Sequence, residues 1–278
     1  MGFQGVVMNT RQVFKKLHDS DELFVMPNAW CEGSARLIQQ MGYASVGTTS
    51  AGIAYAQGYR DSSPGMDNED RFAAIGRIVR AVDIPVTADL ENGLAKTIQE
   101  VEEHFRRVLT LGCAGASIED ISDYADPGSP LFFSVEEASD RVRAASNAVH
   151  TLDPDFIVTA RTDYLLGAHE YSLNEVIVRL VAFEEAGADC LFAPGVRSIE
   201  DLEVIQRSLT KPINVLPVSG MTIDRLRTIG IRRISLGSSL FRAAYQQIST
   251  VLLSLEQPDG LDYLTSGLSL GQLDEVMR

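Results

Sequence analysis

Eight short apolar runs, each too brief for a helix and each followed by a longer stretch of helical periodicity, constrain this chain more than any other feature. The runs are LFVMPN (23–28), ASVGTT (44–49), PVTADL (85–90), GASIED (115–120), DFIVTAR (155–161), DCLFAPG (189–195), PINVLP (212–217) and RRISLG (232–237). The amphipathic stretches that follow them span 32–41, 68–82, 97–111, 135–149, 172–186, 199–209, 222–229 and 238–256. Strands apolar along most of their length are buried on both faces, which implies a parallel sheet covered by helices. Eight such repeats close an α/β (β/α)8 barrel of the TIM type more naturally than an open doubly wound sheet, and no run leads into a GxGxxG turn. Ser134 and Ser172 read as helix N-caps, and Gly42, Gly112, Gly187 and Gly230 as helix stops. The 278 residues are expected to form one barrel domain, with a short appendage from about residue 257.

The charge balance narrows the function. With 24 Lys+Arg against 38 Asp+Glu the formal net charge is −14, which disfavours a nucleic-acid groove or an anionic membrane surface. No stretch approaches the length of a membrane span and no secretory signal is read, so a soluble, cytoplasmic protein is expected. Three widely spaced cysteines, Cys31, Cys113 and Cys190, form neither a disulfide framework nor a zinc pattern. His18, His104, His150 and His169 lie away from the strand tips and are expected at the surface, and Cys31 is expected to pack.

In a parallel barrel, chemistry sits at the C-terminal ends of the strands. There the second strand ends in Thr49, Ser50 and Ala51, followed by Asp61 in its loop. The third ends in Asp89 and Glu91, the fourth in Glu119 and Asp120, the fifth in Arg161 and Asp163, and the seventh carries Asn214. Strand alternation places Asp89 and Glu91 on one side, and both facing Glu119 would repel unless a cation sat between them. An all-oxygen set, Asp89, Glu91 and Glu119, suits Mg2+, or Mn2+. Arg161 offers a planar fork for a carboxylate or enolate oxygen. Singly, each acid reads equally as a helix N-cap in a βα loop, and Arg161 as the neutraliser of Asp163 or Glu119.

VMPNAWCEGSARLIQQMGYASVGTTSAGIAYAQGYRD, PVTADLENG, GASIED, ARTD, AGADCLFAPG, KPINVL and RISLGSSLFRAA, in that order over about residues 14–250, resemble the isocitrate lyase/phosphoenolpyruvate mutase superfamily. The resemblance implies a barrel with a C-terminal helix exchanged between subunits, a homotetramer, and Mg2+-dependent chemistry on 2-oxo acids beside an enolate. It further implies that Asp89 ligates Mg2+, that Glu119 acts through metal-bound water and that Arg161 holds the substrate's oxygen or carboxylate. By the same resemblance Asp61 lies near the reacting centre, Thr49, Ser50 and Ala51 receive a carboxylate, and Asn214 is a polar pocket position.

Departures from the superfamily pattern choose among its reactions. The Lys-Lys/Arg-Cys-Gly-His loop of its C–C lyases is missing, since none of the three cysteines has such neighbours. Thr87 stands where many members have an acid, Glu91 adds one, and Gly93-Leu94-Ala95 replaces the usual Gly-aromatic-Gly. ISDYADPGSPLFFS (121–134) lacks the Lys and Asn expected of a phosphoenolpyruvate mutase. The chain resembles most the branch near oxaloacetate decarboxylases and carboxyphosphonoenolpyruvate mutase-like proteins. The expected function is a Mg2+-dependent lyase on a small 2-oxo acid, foremost oxaloacetate decarboxylation. Phosphonopyruvate hydrolysis or P–C mutation, and a catalytically weak 2-oxo acid-binding homologue, are the alternatives.

Overall fold

In the computed structural model, residues 8–62, 64–122, 131–167, 170–257, 260–261 and 267–278 are described. Each apolar run becomes a strand, all of them parallel: β1 Phe24–Met26, β2 Asn28–Ala29, β3 Val46–Thr48, β4 Val86–Asp89, β5 Gly115–Glu119, β6 Ile157–Arg161, β7 Cys190–Phe192, β8 Ile213–Val215 and β9 Arg233–Ser235. The order β1-β9-β8-β7-β6-β5-β4-β3-β2 bends round into a barrel. The first run supplies both ends of that order because Pro27 interrupts it. Proline has no N–H for the ladder, so the chain pairs with β9 before it and with β3 after it.

The helices are α1 Thr10–Asp19, α2 Glu32–Gln40, α3 Ser50–Ala56, α4 Asn68–Ala81, α5 Ile98–Leu111, α6 Val135–His150, α7 Tyr164–Gly167, α8 Leu173–Glu185, α9 Ile199–Arg207, α10 Ile223–Thr228, α11 Ser239–Ser254 and α12 Leu270–Val276. Ser134 and Ser172 cap α6 and α8 through hydrogen bonds from the third helical N–H. Gly112 ends α5 at φ 99°, a left-handed conformation that glycine adopts without Cβ strain. The main core lies between sheet and helices and is built from residues such as Phe72, Phe105, Phe183 and Leu180. No described helix is long and apolar enough to cross a membrane.

Helix α11 departs from this pattern. Of its residues only Phe241 is buried, while Tyr245, Ile248, Leu252 and Leu253 are exposed. In the chain's last segment, α12 returns to α2, where Val276 is buried and Arg36 donates to the Met277 carbonyl.

The barrel interior is polar as well as apolar. Phe14 of α1 packs in one cluster with Met26, Ala114, Ile157 and Cys190. Next to them lies buried Arg233, whose guanidinium donates to Asn214 Oδ1 (2.8 Å), Thr159 Oγ1 (3.0 Å) and His18 Nε2 (3.0 Å). His18 is therefore not the surface residue the sequence suggested. It lies one helical turn after Phe14 on α1, whose buried face docks against the barrel, and its Nδ1 lies 2.8 Å from the Phe14 carbonyl. His104 and His150 are half-buried too, His104 with Nδ1 2.9 Å from the Gly93 carbonyl and His150 paired with Asp189 at 3.0 Å. His169 lies outside the described residues.

Burial, with the Arg233 charge beside it, pushes His18 down from 6.5 to about 3. The folded state thus keeps this ring neutral where the unfolded chain protonates it. Its contribution to stability is full above pH 6.5 and is lost at about 1.4 kcal/mol per pH step as pH falls from 6.5 towards 3. The His150–Asp189 pair acts in the opposite sense, because its hydrogen bond raises the His150 pKa. Denaturant unfolding of wild type and His18→Gln at pH 7 and pH 5 isolates the effect. The wild type is expected to lose about 2 kcal/mol more than the variant over that interval; equal losses would show that His18 does not carry the slope.

Candidate active site

The C-terminal ends of the strands surround a cavity of about 190 Å3, lined by Thr49, Ser50, Ala51, Asp61, Asp89, Glu91, Glu119, Arg161 and Asn214, while Asp120 and Asp163 at the same tips lie behind its wall. One wall is made by β4 and the tip of β3. The Asp89 carboxylate is set by Ser50, whose backbone N–H and hydroxyl both donate to Oδ2, at 3.0 and 2.8 Å. Its own N–H donates to Thr48 Oγ1 at 2.8 Å, and Ser117 on the adjacent strand lies 3.4 Å from Oδ1. Thr49 caps α3, accepting from the Gly52 N–H at 3.2 Å. The two hydroxyls expected to receive a substrate carboxylate are thus engaged within the protein, Ser50 in fixing Asp89 and Thr49 in fixing the helix.

Glu91 does not follow the alternation that was to set it beside Asp89. Strand β4 ends at Asp89, and Glu91 has φ 51°, so the period-two rule no longer applies. Its side chain turns to form a buried ion pair with Arg71 of α4. Burial outweighs that pairing and, with Asp89 and Asp61 nearby, raises Glu91 to about 7. Asp61 is likewise raised, by burial and then by Asp89. Among the described residues no three Asp, Glu, His or Cys side chains converge closely enough to share one ion. The geometry therefore separates Glu91 and Glu119, each ion-paired with an arginine, from Asp89, which is held by hydroxyl and backbone donors instead.

Opposite Asp89 stands Arg161 at the tip of β6. The Nε–Nη2 edge of its guanidinium grips Asp163, with Nη2 2.6 Å from Oδ2, and Nη1 lies 3.1 Å from Glu119 Oε2. Glu119 is its direct partner in the β5–β6 register. Despite burial, the Glu119 and Asp163 carboxylates keep Arg161 firmly protonated. Beyond Arg161 the wall becomes apolar, with Leu166, Phe192, Pro194 and Leu216. Asn214 sits deeper, its amide spent on Ser235 Oγ (2.8 Å) and Arg233.

Sequence reasoning missed Arg71 and Arg233. Arg71 falls in an ordinary amphipathic stretch with no signal of its own. Arg233 did carry one, as a charged residue inside a strand run.

Residues 14–255 match the family described as phosphoenolpyruvate phosphomutase. The chain belongs to that family. It is 32% identical over 213 residues to an oxaloacetate decarboxylase of Rhodopseudomonas palustris (strain BisB5), covering 73% of this chain and 69% of the relative. A Burkholderia cenocepacia J2315 structure described as a lyase/mutase superimposes with a TM-score of 0.89 at 30% identity, covering 96% and 94% of the two chains. Oxaloacetate acetylhydrolase in complex with its product oxalate gives 0.83 at 25% identity, covering 97% and 94%. The phosphoenolpyruvate phosphomutase family thus accounts for the TIM-type barrel, and its relatives make this chain a member of a lyase and mutase superfamily.

Proposed function

We propose that this chain is a divalent-cation-dependent lyase that carries a small 2-oxo acid through an enolate, with oxaloacetate decarboxylation the reaction that fits best. The observation that carries this reading is the opposition, across one small cavity, of an anchored carboxylate, Asp89, and an anchored guanidinium, Arg161. The similarity to an oxaloacetate decarboxylase supports the choice of substrate.

The donor set fits a hard cation. Asp89 presents an oriented carboxylate to the cavity, and the Asp61, Glu91 and Glu119 oxygens line the same space, an all-oxygen donor set of the kind that hard cations take. Asp89 would hold the ion directly, and Glu119 would hold its waters. When bound there, Mg2+ or Mn2+ supplies an electron sink for the 2-oxo oxygen. Arg161, with its Nε–Nη2 edge committed to Asp163, directs its remaining N–H groups towards the charge that develops on the enolate oxygen. Asp61 positions the departing carboxylate or a water. The Leu166–Phe192–Pro194–Leu216 wall favours loss of a charged carboxylate as neutral CO2, because it solvates the ion poorly. The exposed apolar residues of α11 support a homo-oligomer as the working form.

Pyruvate release from oxaloacetate, corrected for metal-catalysed background, tests the reading. Turnover is expected to need Mg2+ or Mn2+, to stop with EDTA and to be blocked by oxalate. Turnover of phosphonopyruvate instead would move the assignment to P–C chemistry. Oxalate binding with no turnover of either would leave a binding protein.

A further inference from the structure

Arg161 points where Asp163 lets it point, which raises the question of what holds Asp163. Its backbone N–H donates to Asp120 Oδ1 at 2.9 Å, and the neighbouring Thr162 hydroxyl donates to Asp120 Oδ2 at 2.6 Å. Arg179 of α8 donates through Nη1 to the same Oδ2 at 3.0 Å. Asp120, Thr162, Asp163 and Arg179 are all buried, and none of them lines the cavity.

The same arginine reaches the other loop at the mouth. Arg179 Nη1 also donates to the Phe133 carbonyl at 3.0 Å, and the Phe133 N–H donates to the Asp120 carbonyl at 2.9 Å. Its guanidinium lies 5.8 Å from the Phe132 ring centre and 5.6 Å from that of Tyr164. Phe132 belongs to the stem of the loop after β5, bridged to Ile121, and Tyr164 to the segment after β6. Asp120 and Arg179 therefore join the two segments that flank Arg161.

We infer that Asp120, backed by Arg179, is a positioning residue that sets the Arg161 guanidinium through Thr162 and Asp163. The inference rests on reading Arg161 as the group that faces the reacting oxygen. Asp120 and Arg179 connect both segments to the residue that grips Arg161. If the joint slackens, Asp163 shifts and Arg161 loses alignment with a charge that exists only in the transition state, so the loss falls on kcat.

Asp120→Asn keeps the shape but replaces one acceptor by a donor, so either the Asp163 N–H or the Thr162–Arg179 pair loses its acceptor, and in both cases the joint to Asp163 is weakened. In the full-length protein with Mg2+, kcat for oxaloacetate is expected to fall about 10–100-fold with KM changed less than about threefold. Thr162→Val, which removes the hydroxyl's bond to Asp120 and the long one it accepts from the Tyr164 N–H without stranding a charge, is expected to show the same split more weakly and serves if Asp120→Asn does not fold. The Arg161 Nε–H resonance, assigned by its loss in Arg161→Lys, is expected to move in both variants. A folded variant with unchanged kcat and an unmoved resonance would overturn the inference. Should the wild type turn over no oxaloacetate, the proposed function fails on that result alone. The resonance then decides the positioning role by itself: movement upholds it, and none overturns it.

Discussion

Asp89→Ala is expected to remove metal-dependent turnover entirely while leaving the protein at least as stable as the wild type. The first half follows from the site. Asp89 is the acid that faces the cavity without an arginine on it, held there by the N–H and hydroxyl of Ser50, and neither Glu91 nor Glu119 can replace it without abandoning Arg71 or Arg161. The second half follows from electrostatics. Asp89 raises both Asp61 and Glu91, so its loss relieves repulsion among buried like charges. Residual turnover at the metal-only background, loss of Mn2+ binding by calorimetry and an unreduced melting temperature would agree with this account. Retained Mn2+ affinity would show that the ion is held elsewhere.

Arg161→Ala is expected to lower kcat by about 10²–10³-fold, the usual cost of removing a donor aimed at developing negative charge. Unlike the Asp89 variant it should also destabilise, because Glu119 and Asp163 are left buried without their cation. Breaking a buried pair from one side costs about 3–5 kcal/mol. Arg161→Lys restores the charge but cannot form the two-point grip on Asp163, so it is expected to recover stability more than rate. The ratio of the two recoveries is the informative number. Full recovery of rate by lysine would mean that the fork geometry does not matter to the chemistry.

The strands were legible because each run is short, apolar and bounded by Pro, Gly or charge. The tips were legible because charged residues there cannot be core. Asp89, Glu119 and Arg161 follow from that alone. What the tips do to one another was not legible. The grip of Asp163 on Arg161 and of Ser50 on Asp89 depends on loop backbone, and Glu91 is turned towards Arg71 by a positive φ that no spacing rule announces. Helices α1 and α12 lie outside the repeat that made the rest readable, so the burial of His18 had no antecedent in the pattern.

The Pro27 break bears on how the chain reaches this fold. The N-terminal plug and the strand it contacts are far apart along the chain: His18 and Arg233 are separated by 215 residues. Closing so long a span is entropically costly and slow, so the seam between β1 and β9 should form last. During synthesis at about 5–20 residues per second, the first strand waits roughly 10–40 s for its partner. An unpaired edge of that age is a template for aggregation, and a proline directly after it keeps it short, since it ends the row of N–H groups that another strand would need. Pro27 thus protects the nascent barrel at the place where the finished one is joined.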